Sequence, residues 1–125
     1  MKKIINTPNA PAPIGPYNQA VLSGNMLFIS GQVAFIPGTA NLVLDNIAAE
    51  TTQVMNNLKA ILTEAGMDFS KVVKTTIFLS DMALFSAVNE VYGSFFSSDY
   101  PARETVAVKG LPKNVNVEIS MIASK

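Results

Sequence analysis

Two segments of this chain carry apolar side chains at helical spacing, and the strand-like segments around them are apolar on both faces. That combination restricts the fold more than any other feature of the sequence. The first helix is expected to begin at Asp45 as its cap and to end at Gly66, with Ile47, Thr51, Val54, Leu58, Ile61, Leu62 and Ala65 along one face. Asp81 is placed to cap a second, with Phe85, Val88, Tyr92, Phe95 and Phe96 turned inward. Strand signals fall at residues 17–22 and 26–35, joined as a hairpin through Ser23-Gly24-Asn25, then at 72–79, 102–108 and 115–123. The order strand, strand, helix, strand, helix, strand, strand is that of an α+β domain with a single sheet and two helices. Two helices cover only one face of such a sheet. Met26, Phe28 and Phe78 nonetheless point away from Leu27, Ile29 and Leu79, so the second face is partly apolar as well. Exposed apolar surface of that extent is rare on soluble monomers, and a homo-oligomer packed sheet to sheet is the expectation.

With 125 residues, the chain is expected to form one domain over 1–125. Nine basic residues balance nine acidic ones and only 14% of the chain is charged, which gives no electrostatic footprint for a phosphate backbone. Nucleic acid is therefore not expected as a partner. Lys2 and Lys3 imitate the start of an export signal, but Asn6-Thr7-Pro8-Asn9 follows where an apolar stretch should run. No window approaches the roughly 18 apolar residues of a spanning helix. A soluble, cytoplasmic protein without a membrane partner is the expectation. Cysteine and histidine are both absent, which removes thiol nucleophiles, most familiar triads and the usual zinc ligand sets. Thr7 to Pro16 carries four prolines in ten residues and should lie as a stiff extended arm without a strand ladder.

Within this neutral chain Arg103 is the single arginine, just after Pro101 where a loop becomes a strand. Its guanidinium stays protonated at physiological pH and offers a planar fork that fits a carboxylate two bonds at a time, which lysine cannot copy. Two readings stand: a site for a small carboxylate, or a surface arginine paired with a nearby acid. Alternation places Val106 and Val108 toward the helices and sends Arg103, Thr105 and Ala107 to the other side. Asn116, Glu118 and Ser120 are expected on that same side, opposite Val117, Ile119 and Met121. Glu118 reads either as part of an anion pocket or as a half-exposed strand residue, including the salt-bridge partner of Arg103. Ser30-Gly31 marks a bulge or a close backbone approach. Tyr17 fits a role closing the core beneath the arm, and Asn89 by default is solvated.

Seven short motifs extend these readings. Ile14-Gly15-Pro16-Tyr17, Ile29-Ser30-Gly31-Gln32, Val73-Lys74-Thr75-Thr76, Val88-Asn89, Tyr100-Pro101-Ala102-Arg103, Leu111-Pro112-Lys113 and Val117-Glu118-Ile119 resemble, in order and spacing, the RidA (YjgF) family over nearly the whole chain. The resemblance implies a chorismate-mutase-like α+β fold, with two helices on one face of the sheet and a homotrimer packed through the other. It implies clefts between subunits and hydrolysis of reactive 2-imino acids, the enamine/imine products of pyridoxal-phosphate dehydratases, to 2-keto acids and ammonia. No metal or cofactor is implied. By this resemblance Arg103 binds the substrate carboxylate, Glu118 holds or activates water, and Tyr17, Ser30, Gly31 and Asn89 line the cleft. Thr105 stands where many relatives have cysteine, so no thiol response carries over, although its hydroxyl remains a candidate substrate contact. The loop Gly38-Thr39-Ala40-Asn41 departs from the family's Thr-Gly turn and leaves substrate size open.

A binding module that captures keto acids without turnover is the rival reading. A ribonuclease or translation-inhibitor activity is also ascribed to some relatives, but the neutral charge and the lack of histidine count against it.

Overall fold

The computed structural model describes residues 1–125. Six strands form one mixed sheet: β1 (Lys2–Ile5), β2 (Ala20–Ser23), β3 (Met26–Gln32), β4 (Val72–Leu79), β5 (Ala102–Ala107) and β6 (Val117–Ser124). Their spatial order is β1-β2-β3-β6-β4-β5, antiparallel throughout except for the β4–β5 pair. The helices are α1 (Ile47–Glu64) and α2 (Phe85–Gly93), the latter entered through a 3-10 turn at Met82–Leu84 that Asp81 caps. No helix is long and apolar enough to cross a membrane.

Helix α1 forms as its spacing requires, since Val54, Leu58, Ile61 and Leu62 become fully buried on one face. Its cap is Asn46 rather than Asp45: the Asn46 side chain accepts the Ala49 N–H at 2.8 Å. Both residues have the chemistry of a cap, and the one whose backbone is extended immediately before the first turn takes the role. Gly66, at φ +74°, ends the helix as expected. Under α1 and α2 lie Leu27, Ile29, Ile77, Leu79, Val117, Ile119 and Met121, all buried.

The opposite face has no helix. Ile4, Val21, Phe28 and Ile122 sit side by side across four strands, with Phe28 47% and Ile4 41% exposed. The apolar second face thus exists where the alternation placed it. Strand β1, however, was not legible as a strand. Only Ile5 among its four residues is buried, so it carries no alternation to read.

The parity of β5 is the reverse of the expectation. Arg103 pairs with Thr75 and Thr105 with Ile77, and both β4 partners are wholly buried beneath the helices. Arg103 and Thr105 therefore face the helices, while Val106 pairs with Phe78 on the open face and is 45% exposed. When both faces of a sheet are apolar, the position of a valine no longer says which face is covered.

Two polar anchors fix the loops. Glu50, fully buried on α1, accepts the Asn116 N–H at 2.8 Å, the Val117 N–H at 3.3 Å and the Asn116 side-chain amide at 2.8 Å, setting the start of β6. Gln19 holds the proline arm, since its side-chain amide donates to the carbonyls of Thr7, Ala10 and Pro11 and its oxygen accepts the Thr7 N–H. The arm needs this clamp because it has no strand ladder.

Candidate active site

Arg103 lines a cleft of about 320 Å³ together with Asn89, Tyr92, Gly93, Tyr100 and Pro101. Helix α2 contributes Asn89 and Tyr92, and the turn after it contributes Tyr100. The guanidinium carbon sits 5.1 Å from the centroid of the Tyr92 ring and 5.7 Å from that of Phe85. No acid pairs with it, for the one salt bridge in the molecule joins Lys74 to Glu104 at 3.6 Å. The reading of Arg103 as half of a surface ion pair therefore fails. Thr105, two residues along the same face, has a buried hydroxyl without a hydrogen-bond partner.

Glu118 occupies the open face, across from Phe78 and Val106. Burial raises its carboxyl above the ordinary value. Gly31 faces it at the bulge between Ile29 and Gln32. A Cβ at residue 31 would collide with Oε2 of Glu118 and lie 2.8 Å from its Cδ, so the glycine leaves room for the carboxylate. Beside it, the Ser30 hydroxyl donates to the Asn18 carbonyl at 2.6 Å. Tyr17, half-exposed on the arm rather than closing the core, accepts the Ile14 N–H at 3.3 Å.

The candidate residues thus fall into two groups. Arg103, Asn89 and Thr105 stand on the helix side of β5, whereas Glu118 and Gly31 stand on the open face, and the bond from Ser30 to Asn18 ties Ser30 to the segment that carries Tyr17. The expected convergence of Arg103 with Glu118 on one face of one chain does not occur, because the sheet lies between them. Sequence reading had placed Tyr92 and Phe85 among core residues and missed them as the bed of the arginine. The available signal was a tyrosine on the inward face of a helix, whose hydroxyl needs a partner when buried.

A single-sheet domain of six strands with two helices on one face defines the chorismate-mutase-like class of α+β folds. Within that class the chain belongs to the RidA (YjgF) family, matching over residues 7–125 the family model described as Endoribonuclease L-PSP. It is similar to the 2-iminobutanoate/2-iminopropanoate deaminase of Bos taurus, with 47% identity over 98% of this chain and 90% of that one. Among solved structures it resembles RidA from the Antarctic bacterium Psychrobacter sp. PAMC 21119, with 42% identity, a TM-score of 0.95 and coverage of 98% of this chain and 99% of the other. It also resembles E. coli TdcF with bound serine, with 40% identity, a TM-score of 0.94 and 98% coverage of both chains.

Proposed function

We propose that this protein hydrolyses small 2-imino acids to 2-keto acids and ammonia, in clefts formed between the protomers of a homotrimer. The observation that carries the reading is the unpaired guanidinium of Arg103, fixed on aromatic rings at a cleft of small-metabolite size. Two of its in-plane N–H donors grip the substrate carboxylate. Asn89 and Tyr100 border the bound acid. A neighbouring chain, docked through its open apolar face, supplies Glu118 together with Gly31, Ser30 and Tyr17. That arrangement explains why the two groups stand on opposite faces of a single chain and what covers Phe28 and Val106.

The chemistry asks little of the protein beyond placement. An iminium carbon is already electrophilic, so positioning and proton management account for catalysis. Glu118, ionised, takes a proton from water as the water oxygen bonds to C2. The carbinolamine nitrogen takes that proton back from Glu118, and as the C–N bond breaks and ammonia leaves, the hydroxyl gives its own proton to the Glu118 carboxylate and becomes the keto C=O; Glu118 then passes this proton to ammonia or solvent. Burial raises the Glu118 pKa toward the range where both directions of transfer are possible. The bovine relative's name describes this activity, and serine bound to TdcF has the carboxylate that Arg103 would grip.

The serine complex equally suits the second reading, a trimer that binds small carboxylates without turnover. One experiment addresses both. A pyridoxal-phosphate dehydratase generates 2-iminobutanoate in the presence of semicarbazide, and the purified protein is expected to divert the imine to 2-ketobutanoate before it is trapped. Binding of 2-ketobutanoate without diversion of the imine would establish the module and remove the enzyme.

A further inference from the structure

We propose that Tyr92 is the positioning residue of the arginine clamp and that Thr75 holds it in place; the inference rests on the carboxylate-binding reading of Arg103 given above. An arginine on an edge strand without a partner spreads over many rotamers, and ordering that side chain on ligand binding weakens the complex. The Arg103 side chain makes neither an ion pair nor a hydrogen bond within the chain. It nonetheless lies within cation–π distance of both Tyr92, at 5.1 Å, and Phe85, at 5.7 Å. Stacking engages the faces of the guanidinium and leaves its in-plane donors free. An acidic partner would have occupied the fork.

Tyr92 is itself immobilised. It is 4% exposed, its ring lies 4.9 Å from that of Phe96, and its hydroxyl donates to the Thr75 hydroxyl at 3.0 Å. Burial raises the phenol pKa, an effect partly offset by the Thr75 bond and the Arg103 charge, so the hydroxyl remains a neutral donor. Thr75 is fully buried and is the β4 residue paired in register with Arg103. The three residues close a circuit. Strand pairing ties Arg103 to Thr75, a hydroxyl bond ties Thr75 to Tyr92, and the Tyr92 ring carries the Arg103 head group.

The test compares the parent protein with Tyr92→Leu, Tyr92→Phe, Thr75→Val and the double variant Tyr92→Phe/Thr75→Val. The Arg103 Nε–Hε resonance reports ring stacking, calorimetry reports 2-ketobutanoate binding, and imine hydrolysis is measured alongside thermal stability. Tyr92→Leu should reduce the ring-current shift to what Phe85 alone contributes and raise both Kd and KM about tenfold, with kcat within about twofold. Tyr92→Phe keeps the ring, so the Arg103 resonance should stay near its parental position and affinity within about threefold of the parent. Thr75→Val leaves the phenol without its acceptor and should weaken binding, and the double variant should recover because both partners become apolar. An unshifted Arg103 resonance in the parent, or unchanged Kd in Tyr92→Leu, overturns the proposal. A double variant no better than Thr75→Val does so as well, independently of whether the leucine variant folds. A shifted resonance in a parent that binds no keto acid refutes the carboxylate reading instead.

Discussion

Mixing two inactive variants offers the sharpest test of a site shared between chains. Arg103 lies on the helix face of β5 and Glu118 on the open face of β6, so a cleft that uses both draws each from a different protomer. Arg103→Ala and Glu118→Ala oligomers should each be inactive in imine hydrolysis. After the two are mixed in equal amounts and allowed to reassemble, a cleft is complete when its Arg side comes from the Glu118→Ala chain and its Glu side from the Arg103→Ala chain. Each condition holds in half of the cases, so recovery should approach about one quarter of parental activity. For a trimer the same figure follows another way: about three quarters of the assemblies are mixed, and each has one complete cleft in three. The assay is keto acid formation against a semicarbazide trap, with native mass spectrometry to establish that mixed oligomers have formed. Mixed oligomers with no recovered activity would refute the shared cleft and, with it, the pairing of these two residues.

Other substitutions probe the separate parts. Gly31→Ala should lower kcat/KM by up to about 100-fold, since the new methyl displaces the Glu118 carboxylate, while the melting temperature changes little because a flexible side-chain end can move aside; parental kcat/KM would show that the close approach is irrelevant. Arg103→Lys keeps the charge but loses the fork and should raise KM at least about tenfold, a result that steady-state kinetics would contradict if KM stayed parental. Burial raises the folded-state Glu118 pKa above its ordinary 4.5, so ionised Glu118 costs stability at neutral pH, and this cost disappears as pH falls below 4.5. Glu118→Gln should therefore be stabilised relative to the parent at neutral pH but not in acid, as read by denaturant unfolding of both proteins across that range. The acid limb of kcat/KM should likewise fall above 4.5, and a limb at or below that value would count against Glu118 as the base. Glu50→Ala leaves one buried and two partly buried donors unpaired and should destabilise the chain by roughly 2–5 kcal/mol; a loss under about 1 kcal/mol would show that water replaces the carboxylate.

Local periodicity was enough for α1, the β2–β3 hairpin, β4 and β6, and the surplus of apolar residues on the second sheet face was already countable in Met26, Phe28 and Phe78. Arg103 stood out because it is the single arginine in a chain without histidine or cysteine, and Gly31 because a glycine within a strand needs a reason. Strand β1 escaped notice for want of any repeat within four residues, and Asn46 and Asp45 were chemically interchangeable as caps. Only the tertiary structure decided which way β5 faces, for that depends on its register against Thr75 and Ile77 rather than on its own side chains. The same register put Arg103 over Tyr92 and left the sheet between it and Glu118. A sequence records which side chains alternate, but the side they take is fixed by the neighbour with which the strand exchanges hydrogen bonds.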